Sequence, residues 1–145
     1  MSSVVTLSLN NSLQELPRLG QAVRDLCKRR RVPNSILYSV NLAVDELFTN
    51  VVTHGYRDDE DHEISIRIAV GDSSIEIEMI DDGVAFNPWQ DAPVPRLDTP
   101  LETRAIGGLG LHLVKSLMNS LDYQRSDGRN CIRMRKDYSP AESAA

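Results

Sequence analysis

The chain has 145 residues, 41 % hydrophobic and 26 % charged, the size and balance of one globular unit whose core needs no disulfide or metal staple. A formal net charge of −5 and a pI near 5.1 argue against a nucleic-acid binder, which would carry a basic face, and no apolar run approaches the length that spans a bilayer. Cys27 and Cys131 stand far apart in no metal-like spacing, which fits a reduced, cytoplasmic chain, and MSSVVTLSLN lacks the basic-then-apolar order of a secretion signal.

Val4 to Leu9 alternates apolar and polar residues and reads as a first strand. Asn10-Asn11-Ser12 is a turn that offers N-cap oxygens. From Leu13 to about Arg30, the spacing of Leu13, Leu16, Leu19, Val23 and Leu26 predicts an amphipathic helix, with Pro17 near its first turn. Lys28 to Arg31, the main basic cluster, sits at the end of that helix, where cations favour the dipole; a docking patch for a partner is the alternative. A second helix runs from about Asn34 to Thr53, with Gly55 as its stop.

After a charged loop, Ile64 to Val70 and Ile75 to Met79 alternate around Gly71-Asp72-Ser73-Ser74 and read as an antiparallel hairpin. Trp89 to Ile106 has no periodicity and contains Pro93, Pro95 and Pro100, the signature of a functional lid or a disordered segment. Gly107-Gly108-Leu109-Gly110-Leu111 then opens a third helix whose apolar face is Leu111, Val114, Leu117, Met118 and Leu121. Tyr123 to Arg125 and Cys131 to Lys136 flank Ser126-Asp127-Gly128-Arg129, a second hairpin with an Asp-Gly turn. The order predicts an α+β two-layer sandwich: a mainly antiparallel sheet covered on one face by three helices. One domain is expected over 1–138, with a flexible tail over 139–145.

Three stretches carry chemistry. In LAVDELFTNVVTHGY, Leu42, Glu46, Asn50 and His54 recur every four residues and form one stripe on a helix otherwise apolar enough to be buried. A carboxylate and an amide there need partners. Asn50 offers an oxygen suited to Mg²⁺, and Glu46, one turn away, can orient or deprotonate a water or hydroxyl. The same residues could instead bond to neighbouring loops and helices. The glycine run lets backbone N–H groups approach an anion at a helix N-terminus, although glycines are as common in plain turns. Asp81-Asp82-Gly83 ends a strand: an aspartate there can accept from the exocyclic amine of a base, and Gly83 lets a flat ring approach, or the motif is only a turn.

Glu46-x-x-x-Asn50-x-x-x-His54, then Asp81-x-Gly83, then Gly108-x-Gly110, with a lid between the last two, resembles the GHKL (Bergerat-fold) ATP-binding family over roughly Leu7 to Lys136. Within it, Phe86-Asn87-Pro88 and GGLGLHLVKSLMNSLDY are similar to the anti-sigma-factor serine/threonine kinases of the RsbW type. The resemblance implies ATP and Mg²⁺ as cofactors. It implies Glu46 as the catalytic general base or water-orienting residue, Asn50 as the metal ligand, Asp81 at the adenine amine, directly and through water, and Gly83 beside the base. Gly108, Leu109, Gly110 and Leu111 would cradle phosphates. His54 would stand near the phosphates, or else cap the helix end, and Arg104 is the nearest lid cation. Ala85 replaces a frequent second glycine of the aspartate box and Asn87 a frequent aspartate, which bears on lid closure and turnover.

The implied function is phosphorylation of a Ser or Thr on an anti-sigma-factor antagonist (STAS) partner, with a sigma factor as the alternative partner. No direct contact with nucleic acid or membrane is expected, and the first strand and helix would supply a homodimer interface. The runner-up is an ATP-gated binding module with little kinase turnover. A histidine-kinase catalytic fragment would need a separate dimerisation helix, for which the chain leaves no room.

Overall fold

The structure, a computed structural model, describes residues 2–91 and 108–139. Five strands form one fully antiparallel sheet in the order β1-β2-β3-β5-β4: β1 Ser3–Asn10, β2 Glu63–Val70, β3 Ser74–Asp81, β4 Ser120–Ser126 and β5 Arg129–Asp137. Among the described residues the helices are α1 Leu16–Arg29, α2 Asn34–His54 and α3 Gly108–Leu117. The expected two-layer architecture is the one observed.

Strand alternation sorts the sheet faces. Ile64, Ile66, Ile68 and Val70 of β2, Ile75, Ile77 and Met79 of β3, and Ile132 and Met134 of β5 are buried together with residues of all three helices. Facing away from the helices, Arg67 pairs in register with Glu78, Glu78 with Arg133 and Arg133 with Asp122. The Arg133 Nε donates to Glu78 Oε2 at 2.8 Å. This alternation of charge suits a face left to solvent, because cross-strand neighbours of opposite sign attract weakly and like ones repel.

α2 is the central helix. Ser39, Val40, Ala43, Val44, Leu47, Phe48 and Val51 are buried, as an apolar helix wedged between α1, α3 and the sheet requires. Its amide from Gly55 closes on the Val51 carbonyl at 2.8 Å.

Two expected elements shift. Leu13–Glu15 is a single 3-10 turn, capped by Ser12 Oγ accepting from the Gln14 amide at 3.2 Å, and α1 proper begins at Leu16. Pro17 therefore lands within the first two helical positions, where its missing N–H costs nothing. α3 begins at Gly108 and ends at Leu117, so Leu121 belongs to β4 and not to the helix face. Helical spacing and strand alternation both make Leu121 inward-facing. The Asn119 amide, donating to the Arg135 carbonyl at 2.9 Å, draws the chain into the sheet. The Asp127-Gly128 turn has φ of 53° and 75° at its two residues, the positive pair a two-residue hairpin favours.

Candidate functional site

The C-terminal half of α2, the end of β3 and the start of α3 converge. Asn50, Val51, His54 and Gly55 of α2 and its cap face Asp81, Val84 and Phe86, with Asn130 and Ile132 of β5 closing the floor. The space between them is about 20 Å³, room for one water-sized group. Asn50 is half-buried and His54 exposed.

Gly83 fixes how closely β3 and α2 approach. A Cβ there would run into the Gly55 carbonyl, and that carbonyl accepts from the Val84 amide at 2.8 Å. The Arg125 Nη1 donates to the Gly83 carbonyl at 2.8 Å. Two motifs far apart in sequence are thus joined by backbone.

Asp81 is 2 % exposed. Its Oδ1 accepts from the Gly83 amide and from Asn130 Nδ2, each at 2.9 Å. Its Oδ2 is buried and has no partner among the described residues. Burial pushes this carboxyl above the usual range, with the neighbouring Asp82 charge adding to the rise; the bonds from Asn130 and Gly83 and the Arg125 charge oppose it. A buried oxygen without a donor costs free energy unless something supplies one, so this acceptor fits a ligand amine. Asn50 offers an amide oxygen of the kind a hard divalent cation takes.

Glu46 stands one turn before Asn50, and its carboxylate is packed on Gly110: a Cβ at Gly110 would overlap Glu46 Oε2 and Cδ. Leu111 is buried in the core, so any part it has in holding an anion falls to its backbone. Gly108 and Leu109 begin α3. Arg104 and Gly107 lie outside the described residues.

The segment after the aspartate box is pinned. Asn87 Oδ1 accepts from the Trp89 amide at 2.9 Å, Trp89 Nε1 donates to the Asp122 carbonyl at 3.0 Å, and Lys115 Nζ donates to the Trp89 carbonyl at 3.0 Å. The Asn87 side chain accepts as an aspartate would, so that departure leaves the local turn intact. Ala85 is exposed.

Sequence reasoning missed Asn130, Tyr123 and Arg125. The signal for Asn130 was available: it takes an inward position in the alternation Asn130, Ile132, Met134, where a polar residue needs partners. Beside the cleft, His62 lies between Asp58 (Nε2 to Oδ1, 2.8 Å) and Asp82 (Nδ1 to Oδ1, 3.1 Å), and its ring stacks on Tyr56 with centroids 4.3 Å apart.

The family model described as the histidine kinase-like ATPase domain matches residues 9–136. The chain belongs to that family. ATP is therefore the ligand class this domain is built for, and the GHKL membership expected from the three motifs holds. The chain is 28 % identical over 138 residues to the serine/threonine-protein kinase BtrW of Bordetella bronchiseptica, covering 95 % of this chain and 92 % of that one. It is 35 % identical over 92 residues to the serine-protein kinase RsbW of Bacillus subtilis, covering 61 % of this chain and 58 % of that one. In three dimensions it is similar to the RsbU and RsbW domains of Rv1364c from Mycobacterium tuberculosis, with a TM-score of 0.63 at 15 % identity. That match covers 92 % of this ATPase domain but only 32 % of the longer chain, and it speaks to the fold. Among the described residues, no helix is long and apolar enough to cross a membrane.

Proposed function

We propose that this domain is a serine/threonine protein kinase that binds ATP·Mg²⁺ between α2, β3 and α3 and phosphorylates a partner protein in a partner-switching pathway. The observation that carries the reading is the buried Asp81, which lines a cleft with Asn50 and His54 and whose Oδ2 accepts no hydrogen bond among the described residues. Asp81 Oδ2 accepts from the adenine amine, with Gly83 beside the base. The amides of Gly108, Leu109, Gly110 and Leu111, at the positive end of α3, receive phosphate oxygens. Asn50 holds Mg²⁺, whose chemistry is to neutralise charge on the phosphates. His54 and Arg104 are the cationic candidates near the phosphates.

Glu46 is the base. It takes the proton from a partner Ser or Thr hydroxyl as that oxygen bonds to the γ-phosphorus and the bond from phosphorus to the ADP oxygen breaks. Positioning and charge neutralisation supply most of the acceleration.

The names of the similar proteins, a serine/threonine-protein kinase (BtrW) and a serine-protein kinase (RsbW), support the reaction class. The partner we propose is an anti-sigma-factor antagonist of the STAS type, with a sigma factor as the competing partner, in the cytoplasm. A homodimer through β1 and α1 is consistent with β1 forming one edge of the sheet.

The test is capture of partners from cell extract in ATP and in ADP, followed by labelling with [γ-³²P]ATP by wild type and by Glu46→Ala. Labelling of a retained protein on Ser or Thr by wild type alone supports the reading. Nucleotide-dependent capture without labelling overturns the kinase and leaves an ATP-gated binding module.

A further inference from the structure

Among the described residues, the Asn130 side chain makes four hydrogen bonds around the cleft. It is 3 % exposed and stands on β5 directly across from Asp81 on β3 and from Arg125 on β4. Its Nδ2 donates to Asp81 Oδ1 at 2.9 Å and to the Val84 carbonyl at 2.8 Å. Its Oδ1 accepts from the Tyr123 hydroxyl at 2.6 Å and the Phe86 amide at 3.3 Å. Two donors and two lone pairs are thereby all used, the full capacity of a side-chain amide. The orientation is dictated by chemistry: the Val84 carbonyl can only accept and the Phe86 amide can only donate, so a flipped amide would set acceptor against acceptor and donor against donor.

This arrangement acts on Asp81. With Gly83 and Asn130 both donating to Oδ1, the carboxylate cannot rotate without breaking two bonds. The remaining oxygen, Oδ2, has no partner among the described residues.

We propose that Asn130 is a positioning residue for base selection: by tying down Asp81 Oδ1 it presents Asp81 Oδ2 to the cleft as a fixed acceptor, favouring a base with an exocyclic amine over one with a carbonyl in its place. The inference rests on Asp81 being the base acceptor. An amine donates to Oδ2, whereas the carbonyl of hypoxanthine sets oxygen against oxygen. Without Asn130, Asp81 keeps only the Gly83 bond and can turn, and the difference between the two bases shrinks.

The experiment measures dissociation constants for ATP and ITP with Mg²⁺, by displacement of a fluorescent nucleotide, in wild type, Asn130→Leu and Asp81→Asn. A hydrogen bond to a charged group predicts that wild type prefers ATP by about tenfold or more. Asn130→Leu is expected to reduce that ratio to about threefold or less, mainly by weakening ATP, with ITP little changed. Equal weakening of both nucleotides, or an unchanged ratio, overturns the proposal, because a residue that merely supports the fold would affect both alike. Asp81→Asn separates the two ideas. If it retains the wild-type ratio, the base-acceptor reading fails; if it loses the ratio while Asn130→Leu keeps it, only the positioning role fails. Should Asn130→Leu not fold, Asn130→Ser, too short to reach Asp81 and leaving room for water, is measured against the same criterion.

Discussion

The Glu46 carboxylate rests on Gly110, so that the first turn of α3 and the proposed base of α2 share one small space. Gly110→Ala would push into the end of a flexible side chain and not into backbone, so Glu46 gives way. Alanine is also the better helix former, by about 0.5–1 kcal/mol. The variant should melt no earlier than wild type and transfer phosphate at least about tenfold more slowly, since small displacements of a catalytic group are costly. Thermal melts and initial rates on the same preparation check both halves.

Glu46→Gln keeps the shape and removes the base. Phosphotransfer should fall by about 10²- to 10⁴-fold, while the ATP dissociation constant changes by no more than about threefold, because Glu46 is not among the residues lining the Asp81 cleft. Titration calorimetry alongside single-turnover rates separates the effects.

Asp81→Asn should trade binding for stability. The folded carboxyl is raised above its ordinary value, chiefly by burial. Such a group contributes stability that is fully present below the unfolded pKa, about 3.9, and is lost as pH rises through the folded one. Relative to the variant, wild type is thus weakest at neutral pH. The melting temperature of Asp81→Asn should match or exceed that of wild type at pH 7, with the advantage shrinking as pH falls into the carboxylate range. Melts across pH 4 to 8 test the sign.

The fold was readable where a single periodicity held. α2 and the β2–β3 hairpin follow from Leu47, Phe48 and Val51 and from the alternating isoleucines, because burial on one face leaves its mark along the chain. Leu121 misled because an inward residue after a helix satisfies either period. The sheet order was not readable: that β5 inserts between β3 and β4 depends on pairings such as Ile77 with Met134, which leave no local trace. Glu46, Asn50 and Asp81 were legible as residue types in odd surroundings. Their contacts with Gly110 and Asn130 were not, since spatial adjacency between distant strands and helices comes only from the folded chain.

His62 should give the protein a mild dependence on pH from a second source. Hydrogen bonding to Asp58, then to Asp82, raises its pKa above the ordinary 6.5, against some desolvation. Its contribution is therefore present below about pH 6.5 and lost as pH rises through the higher folded value. Relative to His62→Gln, wild type should lose melting temperature as pH rises above about 6.5. An identical pH profile in the two proteins would show that the Asp58-His62-Asp82 contact does not persist in solution.

The place of β5 in the sheet has a consequence for synthesis. β3 carries Asp81, yet its neighbour on the far side is β5, a strand made after α3 and β4. Until residues 129–137 have left the ribosome, β3 is an open edge bearing isoleucines, and Asp81 lacks the amide that orients it. Domains made from the N-terminus forward and closed by long-range pairing assemble late. A nascent chain stalled before β5 would hold α2 and the β2–β3 hairpin but not the Asp81–Asn130 contact, so the proposed nucleotide site is completed only once β5 has paired.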